Sequence, residues 1–147
     1  MHQITRKLEF DAGHRVLEHG GKCRNLHGHR YVAEVTVESD ELDKLGMVVD
    51  FSEVKRLVGG WIDEHWDHNM ILHPDDPLIL NKTSTEIETV TGRKPFIMPF
   101  GVENPTAENM VKVLFKVSSN LLCPQQLLVV KVRLYETPNC WAECWSE

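Results

Sequence analysis

Alternating apolar and polar residues predict the most clearly marked strand of the chain, at residues 31 to 38. Its apolar positions recur at every second residue and are Tyr31, Ala33, Val35 and Val37. Because side chains on a strand point to alternate faces, we expect this segment to bury one face and to leave Glu34 and Glu38 on the other. Residues 3 to 13 alternate in the same way and are expected to form its hairpin partner.

Helical spacing of apolar residues predicts a first helix near residues 51 to 65. Asp50 followed by Glu53 resembles a helix cap at its start. The apolar stripe comprises Phe51, Val54, Leu57, Val58, Trp61 and Ile62. Gly59 and Gly60 each weaken a helix by roughly 1 kcal/mol relative to alanine, so the middle of this helix is expected to pack against a close neighbour.

A second helix is expected to begin after Asn104, Pro105 and Thr106, a sequence typical of helix starts. Its apolar stripe comprises Met110, Val113, Leu114, Val117 and Leu121. Residues 127 to 136 then have the alternation of another strand. The side chains expected to face the core from this strand are Leu128, Val130, Val132 and Leu134.

The segment from residue 73 to residue 103 is expected to be an irregular insert, because it holds four of the seven prolines. A short edge strand is predicted within it at residues 95 to 98. The order of elements is therefore strand, strand, helix, insert, helix, strand, strand. We expect a single domain that spans residues 1–147.

Charge and cysteine content narrow the classes of function. Sixteen basic against 22 acidic residues give a net charge of -6, which argues against a nucleic-acid-binding surface. No apolar run has membrane length and the N-terminal segment lacks the apolar core of an export signal, so no membrane association and a cytoplasmic location are expected. The four cysteines are then expected to be thiols. Cys140 and Cys144 on one strand would lie about 13 Å apart, too far for a disulfide.

Three histidines are placed where a hairpin would bring them together. His14 follows the first strand, and His27 and His29 flank a glycine as the second strand begins. Residues two apart on a strand share a face, so all three imidazoles can reach one ion. Three neutral nitrogen ligands suit zinc and leave a fourth tetrahedral position open, as in catalytic sites. From spacing alone, His27 and His29 fit equally well as polar residues of a hairpin loop.

Cys23 lies in the loop between the two strands, four residues before His27. A thiol beside a cation, flanked by Lys22 and Arg24, is expected to ionise readily and to act as a thiolate. Two other interpretations remain open at this point. Cys23 is alternatively a zinc ligand or an unreactive loop thiol.

Asp67 and His68 follow the first helix. A carboxylate next to an imidazole can orient it and tune its basicity, which suits acid-base catalysis near neutral pH. Adjacent residues do not face each other on a helix, so this pairing requires that the helix has ended. Alternatively, His65 and His68 form a helical metal-binding pair, or the segment is an ordinary helix end on the surface.

Taken together, these segments resemble the family of 6-pyruvoyltetrahydropterin and 6-carboxytetrahydropterin synthases. The resemblance covers nearly all of the chain except the insert and the last few residues, in family order. The matching segments are Phe10-Asp11-Ala12-Gly13-His14, Cys23-Arg24-Asn25-Leu26-His27-Gly28-His29, Val49-Asp50-Phe51, Asp67-His68, Asn104-Pro105-Thr106-Ala107-Glu108 and Glu136-Thr137.

The resemblance implies a role for each candidate residue. It implies that His14, His27 and His29 bind Zn2+ and that Cys23, Asp67 and His68 transfer protons. Glu136 would anchor the pterin, since two carboxylate oxygens match the adjacent donors of the pterin's 2-amino group and ring N–H. Thr106 is a further candidate for the same pocket. Without the resemblance, Glu136 would be interpreted as a charged strand end.

The resemblance also favours one branch of the family. Three residues separate Cys23 from the His27-Gly28-His29 unit, as in the carboxy-forming bacterial enzymes, whereas the pyruvoyl-forming enzymes have a longer interval. A member of that branch converts 7,8-dihydroneopterin triphosphate to 6-carboxytetrahydropterin, acetaldehyde and triphosphate. It thereby supplies the pathway to queuosine. A pyruvoyl-forming or related pterin lyase, and a zinc-stabilised binding module without activity, are the alternatives.

The fold implied is α+β: a four-stranded antiparallel sheet with two helices on one face, the tunnelling fold. Such a sheet leaves unpaired backbone groups at both edges, so assembly into a closed multi-subunit barrel is physically sensible. The family implies homohexamers built from two trimers, with substrate sites between subunits.

Overall fold

The computed structural model describes all residues, Met1–Glu147, and contains one six-stranded mixed sheet. The strands are β1 (His2–His14), β2 (His27–Ser39), β3 (Asn69–Leu72), β4 (Phe96–Ile97), β5 (Leu128–Thr137) and β6 (Cys140–Trp145). Their order is β4-β3-β1-β2-β5-β6. The α+β class is confirmed, as are both strands of the predicted hairpin.

The sheet is larger than the predicted four antiparallel strands. Strands β1, β2, β5 and β6 are antiparallel, but β3 pairs with β1 and β4 pairs with β3 in parallel. Strand β4 lies within the predicted edge strand at residues 95 to 98. Strand β3 was not predicted, because four residues that include the buried Ile71 and Leu72 are too short for a period to be recognised.

Three helices accompany the sheet, one more than predicted. Helix α1 runs through Phe51–Val54, Lys55–Gly59 and Gly60–His65, with its middle part in the π conformation. Helix α2 (Ser84–Thr91) lies in the insert, and helix α3 is Ala107–Leu122. Helix α2 was not predicted. None of its residues is buried, and it therefore has no apolar stripe that would mark a helix. No helix has the length and apolar character needed to cross a membrane.

Helices α1 and α3 pack on one face of the sheet, as predicted. Helix α1 contacts β1, and α3 contacts β5 and β6. The core between them contains the predicted alternating residues of β2, together with Phe10 of β1, whose ring stacks on Tyr31. The expected close neighbour of the glycine pair in α1 is Leu8, whose Cδ2 lies 3.4 Å from the position that a Cβ of Gly59 would take.

A bulge in β5 changes which of its residues face the core. The pairing with β2 shifts between Thr36 and Val37, so that Val37 lies opposite Val129. Val129 is therefore 2% exposed and Leu128 is 55% exposed. The prediction that Leu128 and Val130 face the core was wrong, because one extra residue reverses the parity of a strand. Val132 and Leu134, beyond the bulge, are buried as predicted.

Candidate metal centre and active site

The hairpin of β1 and β2 brings three imidazoles together. In its register His14 lies opposite His27, and Ala12 lies opposite His29. The ring centroid of His14 lies 4.6 Å from that of His27 and 5.1 Å from that of His29. The centroids of His27 and His29 are 4.8 Å apart. One ligand atom from each ring lies within 4.8 Å of the others. We call these three residues the histidine cluster.

Two of the three rings are oriented by backbone carbonyls. His14 Nδ1 lies 2.6 Å from the Pro105 carbonyl oxygen, and His27 Nδ1 lies 2.6 Å from that of Asn25. A carbonyl oxygen only accepts, so both Nδ1 atoms carry the hydrogen and both Nε2 atoms hold the free lone pair. Ring nitrogens held in this way are typical of metal-binding histidines.

The unpartnered nitrogens of the cluster fit a metal ion. Nε2 of His14 and Nε2 of His29 are buried and make no hydrogen bond within the protein, although the Glu136 carboxylate lies 3.3 Å from His29 Nε2. Burial lowers the pKa of His14, although its hydrogen bond to Pro105 and the charge of Glu136 oppose this effect. Burial also lowers the pKa of His29. Both rings therefore favour the neutral form, which is the form that binds a metal.

Glu136 and Tyr31 border the cluster. Glu136 Oε1 on β5 lies 3.3 Å from His29 Nε2, so the predicted pterin anchor is next to the cluster. The Tyr31 ring meets His14 and His29 edge-on, with centroids 5.9 and 5.6 Å apart. The alternation of residues 31 to 38 predicted Tyr31 only as a core residue. Its place two residues after His29, on the same face of the strand, was the signal that linked it to the cluster.

Cys23 lies in a short 3-10 turn, Lys22–Arg24, in the loop that joins β1 to β2. It is half-buried and is not among the ligand atoms that lie within 4.8 Å of one another in the cluster. The charges of Glu136 and Cys23 both add to the effect of burial in raising the pKa of Tyr31. The role of the Cys23 thiol beside the cluster stays a prediction.

The start of helix α3 fixes the loop that carries Cys23. Asn104 Oδ1 accepts a hydrogen bond from Leu17 N at 3.0 Å, and Asn104 Nδ2 donates one to Leu17 O at 3.3 Å. Val16 N in turn donates to Cys23 O at 2.8 Å. The pattern of residues 104 to 106 predicted only a helix start at Asn104, because its partner Leu17 lies far away along the chain. The same segment that orients His14 through Pro105 thus also anchors the Cys23 loop.

Thr106 is the N-cap of α3. Its hydroxyl accepts a hydrogen bond from Asn109 N at 3.2 Å, which satisfies one of the free amides at the helix start. Its contribution to a substrate pocket stays a prediction.

Asp67 and His68 form a pair, because helix α1 ends at His65. His68 adopts a left-handed backbone conformation with φ 54°, and its Nδ1 lies 3.0 Å from Asp67 Oδ1. Burial opposes ionisation of Asp67, but hydrogen bonds from the Asp11 amide and from His68 outweigh it and lower the pKa of Asp67. The end of the helix also removes the alternative of a helical pair formed by His65 and His68.

The Asp67–His68 pair is not part of the histidine cluster of its own chain, although His68 and His29 border one open cavity. Ligand atoms of the pair lie within 4.8 Å of each other and of Asp11. Asp11 and His14 have opposite parity on β1, so their side chains point to opposite faces of the sheet. A single chain therefore brings the three histidines together beside Glu136 and places the Asp67–His68 pair in a separate group of ligand atoms.

Comparisons with known proteins match almost the whole chain. A model of the family described as 6-pyruvoyl tetrahydropterin synthase matches residues 3–147. The chain is 46% identical to the 6-carboxy-5,6,7,8-tetrahydropterin synthase of Rickettsia conorii, over 97% of this chain and 99% of that protein. It is 38% identical to the protein of the same name from Aquifex aeolicus, over 99% of this chain and 98% of that protein.

Solved structures share the fold. A protein of Wolinella succinogenes superposes with a TM-score of 0.80 at 27% identity, over 99% of this chain and 98% of that chain. The 6-pyruvoyl tetrahydropterin synthase of Caenorhabditis elegans superposes with a TM-score of 0.67 at 23% identity, over 99% of this chain and 96% of that chain.

Proposed function

Because the chain belongs to the 6-pyruvoyl tetrahydropterin synthase family, we propose that it is a zinc-dependent 6-carboxy-5,6,7,8-tetrahydropterin synthase. The proposed reaction converts 7,8-dihydroneopterin triphosphate to the 6-carboxy product, acetaldehyde and triphosphate. The names of relatives that are 46% and 38% identical over nearly the whole chain support this branch. The short interval between Cys23 and His27 supports it as well.

The histidine cluster is the observation that carries the proposal. His14, His27 and His29 would hold the zinc ion, since their rings converge and two of the Nε2 atoms are buried without a partner. Zinc, when bound, supplies a positive charge that stabilises negative charge developing on substrate oxygens.

The remaining residues would bind the substrate and move protons. Cys23 removes a carbon-bound proton from the side chain of the substrate. His68, held by Asp67, relays protons to and from the side-chain oxygens. Glu136 accepts two hydrogen bonds from the pterin ring and so fixes the side chain beside the cluster, with Thr106 as a further contact.

Assembly of several chains would complete the site. The outer edge of β1 has a partner strand only over residues 12 to 14, and β6 is the last strand at the other side of the sheet. Such open edges favour pairing with further copies, and a closed ring of trimers paired into a hexamer would satisfy them. The Asp67–His68 pair of one subunit would then act beside the histidine cluster of its neighbour.

The proposed setting is the cytoplasm, where the product would enter the pathway to queuosine. The family description itself favours a second candidate, formation of the 6-pyruvoyl product from the same substrate. The two candidates differ only in what happens to the side chain, so product analysis separates them.

Mass spectrometry of the product tests the proposal. The purified protein is incubated with 7,8-dihydroneopterin triphosphate, once with zinc and once after removal of metal by a chelator. We expect 6-carboxytetrahydropterin and acetaldehyde with zinc, and neither after chelation. A 6-pyruvoyl product would favour the second candidate. A protein that folds with zinc but converts nothing would be a zinc-stabilised binding module.

A further inference from the structure

The hydroxyl of Tyr31 has no hydrogen-bond partner although it lies inside the protein. The residue is 0% exposed, and its oxygen is one of the buried polar atoms without a partner. Buried hydroxyls almost always have a partner, so an unpaired one calls for an explanation. A ligand that the hydroxyl binds is one such explanation.

The surroundings of Tyr31 point to that explanation. Two other unpartnered buried atoms, Nε2 of His14 and Nε2 of His29, belong to the histidine cluster that the Tyr31 ring contacts. The ring also stacks on Phe10 with centroids 5.1 Å apart and an interplanar angle of 10°. The hydroxyl is therefore carried by a ring that packing holds in place beside the cluster.

The chemistry of the site determines what this hydroxyl can do. A phenol hydroxyl has an ordinary pKa of about 10 and so keeps its hydrogen at neutral pH. A protonated phenol offers one hydrogen-bond donor. No protein group accepts a hydrogen bond from the Tyr31 hydroxyl, so this donor is available for an acceptor atom of a bound molecule.

We propose that Tyr31 is a further substrate-binding residue, whose hydroxyl donates a hydrogen bond to an oxygen of the pterin side chain. This inference rests on the proposed function, because it takes the bound molecule to be a pterin. Glu136 is matched to the ring of that molecule, whereas Tyr31 contacts the rings of His14 and His29. The side-chain oxygens, between ring and cluster, are therefore the acceptors that Tyr31 would meet.

Replacement Tyr31→Phe tests the proposal, because it removes one oxygen and keeps the packed ring. Tyr135→Phe is the matched control. Tyr135 is the other of the two tyrosines, and its hydroxyl accepts a hydrogen bond from Arg133. The probes are neopterin, which carries the side-chain hydroxyls, and pterin, which has no side chain. Dissociation constants are measured by calorimetry on zinc-loaded protein, and melting temperatures are recorded alongside.

We expect Tyr31→Phe to weaken neopterin binding about tenfold, the effect of losing one hydrogen bond, and to leave pterin binding unchanged. The melting temperature should stay close to that of the parent protein, because no bond within the protein is lost. Equal neopterin affinity in the parent and Tyr31→Phe, or equal weakening for both probes, would overturn the assignment. Failure of the parent protein to bind either probe would instead overturn the proposed function, and this inference with it.

Discussion

His14 donates its Nδ1 hydrogen to the carbonyl oxygen of Pro105 across 2.6 Å, although the two residues lie 91 positions apart in the chain. The bond joins the end of β1 to the start of α3. It fixes the tautomer in which Nε2 of His14 carries the lone pair that faces His27 and His29. The geometry of the histidine cluster therefore depends on the packing of a distant helix as well as on the hairpin.

Replacement His14→Ala should remove bound metal. Loss of one of three nitrogen ligands leaves too few protein ligands for a stable zinc site. We expect the zinc content, measured by mass spectrometry of the metal, to fall from about one ion per chain to nearly none. The exposed His2 provides the control, since His2→Ala should leave the content unchanged. Full zinc content in His14→Ala would exclude this residue as a ligand.

Replacement Cys23→Ala should abolish turnover and leave zinc bound. The proposed role of Cys23 is proton removal, and it is not among the converging ligand atoms of the cluster. Activity should fall at least about a hundredfold, as expected for loss of a catalytic acid-base group. Cys123→Ala changes an exposed thiol and should behave like the parent protein. Undiminished turnover by Cys23→Ala would refute the role, and loss of zinc would reassign Cys23 as a ligand.

Sites shared between subunits can be detected by mixing two inactive variants. His68→Ala retains Cys23, and Cys23→Ala retains the Asp67–His68 pair. If each site takes the thiol from one subunit and the pair from its neighbour, random assembly of equal amounts restores about a quarter of the sites.

The mixture is unfolded together, refolded and assayed against each variant refolded alone. Recovery of activity only in the mixture supports a shared site. An inactive mixture that has assembled normally would mean that one chain supplies all the catalytic groups, which is at odds with the place of His68 on the opposite face from His14.

The buried carboxylate of Asp76 should stabilise the insert in a pH-dependent way. Arg15 makes two hydrogen bonds to it, one of them 2.8 Å long, and the Leu78 amide donates a third at 2.8 Å. Asp76→Asn removes the negative charge that pairs with Arg15 and so weakens these hydrogen bonds to a fully buried side chain. We expect the free energy of unfolding to fall by about 2 to 3 kcal/mol.

The pH dependence follows from the direction of the shift. Burial opposes ionisation of Asp76, but the hydrogen bonds from Arg15 and Leu78 outweigh it, so its pKa in the folded protein lies below the ordinary value. The stabilisation is complete above the ordinary aspartate pKa of about 4 and is lost as the pH falls through the folded value. In urea titrations, the free energy of unfolding of Asp76→Asn should fall less below about pH 4 than that of the parent protein. Asp75→Asn, which changes an exposed carboxylate, is the control and should behave like the parent. Equal acid sensitivity of Asp76→Asn and the parent would contradict this account.

Much of the fold could be predicted because its signals are local. Alternation marked both strands of the hairpin, and Asp50 marked the start of α1, where its side chain accepts a hydrogen bond from Ser52 N. The convergence of His14, His27 and His29 was expected from strand parity together with the hairpin, although spacing alone fitted a polar hairpin loop equally well. What these predictions share is that they depend on neighbouring residues or on a simple hairpin register.

The remaining features depend on contacts that local patterns do not encode. The bulge at Val130 reversed the parity of β5, and strand β3 became part of the sheet only through its pairing with the end of β1. The pair is assigned to the face opposite His14 because Asp67 and His68 lie beside Asp11. That contact exists only in the folded chain and has no local pattern in the sequence. The role of Asn104 as an anchor for Leu17 likewise depends on a contact across 87 positions.

X-ray absorption at the zinc edge of the zinc-loaded protein tests the central claim most directly. If His14, His27 and His29 hold the ion and Cys23 stays free as a base, the spectrum should contain a shell of nitrogen or oxygen neighbours only, with the scattering pattern of three imidazoles. A sulfur neighbour at about 2.3 Å would contradict the account, because it would make the thiol a ligand and close the site.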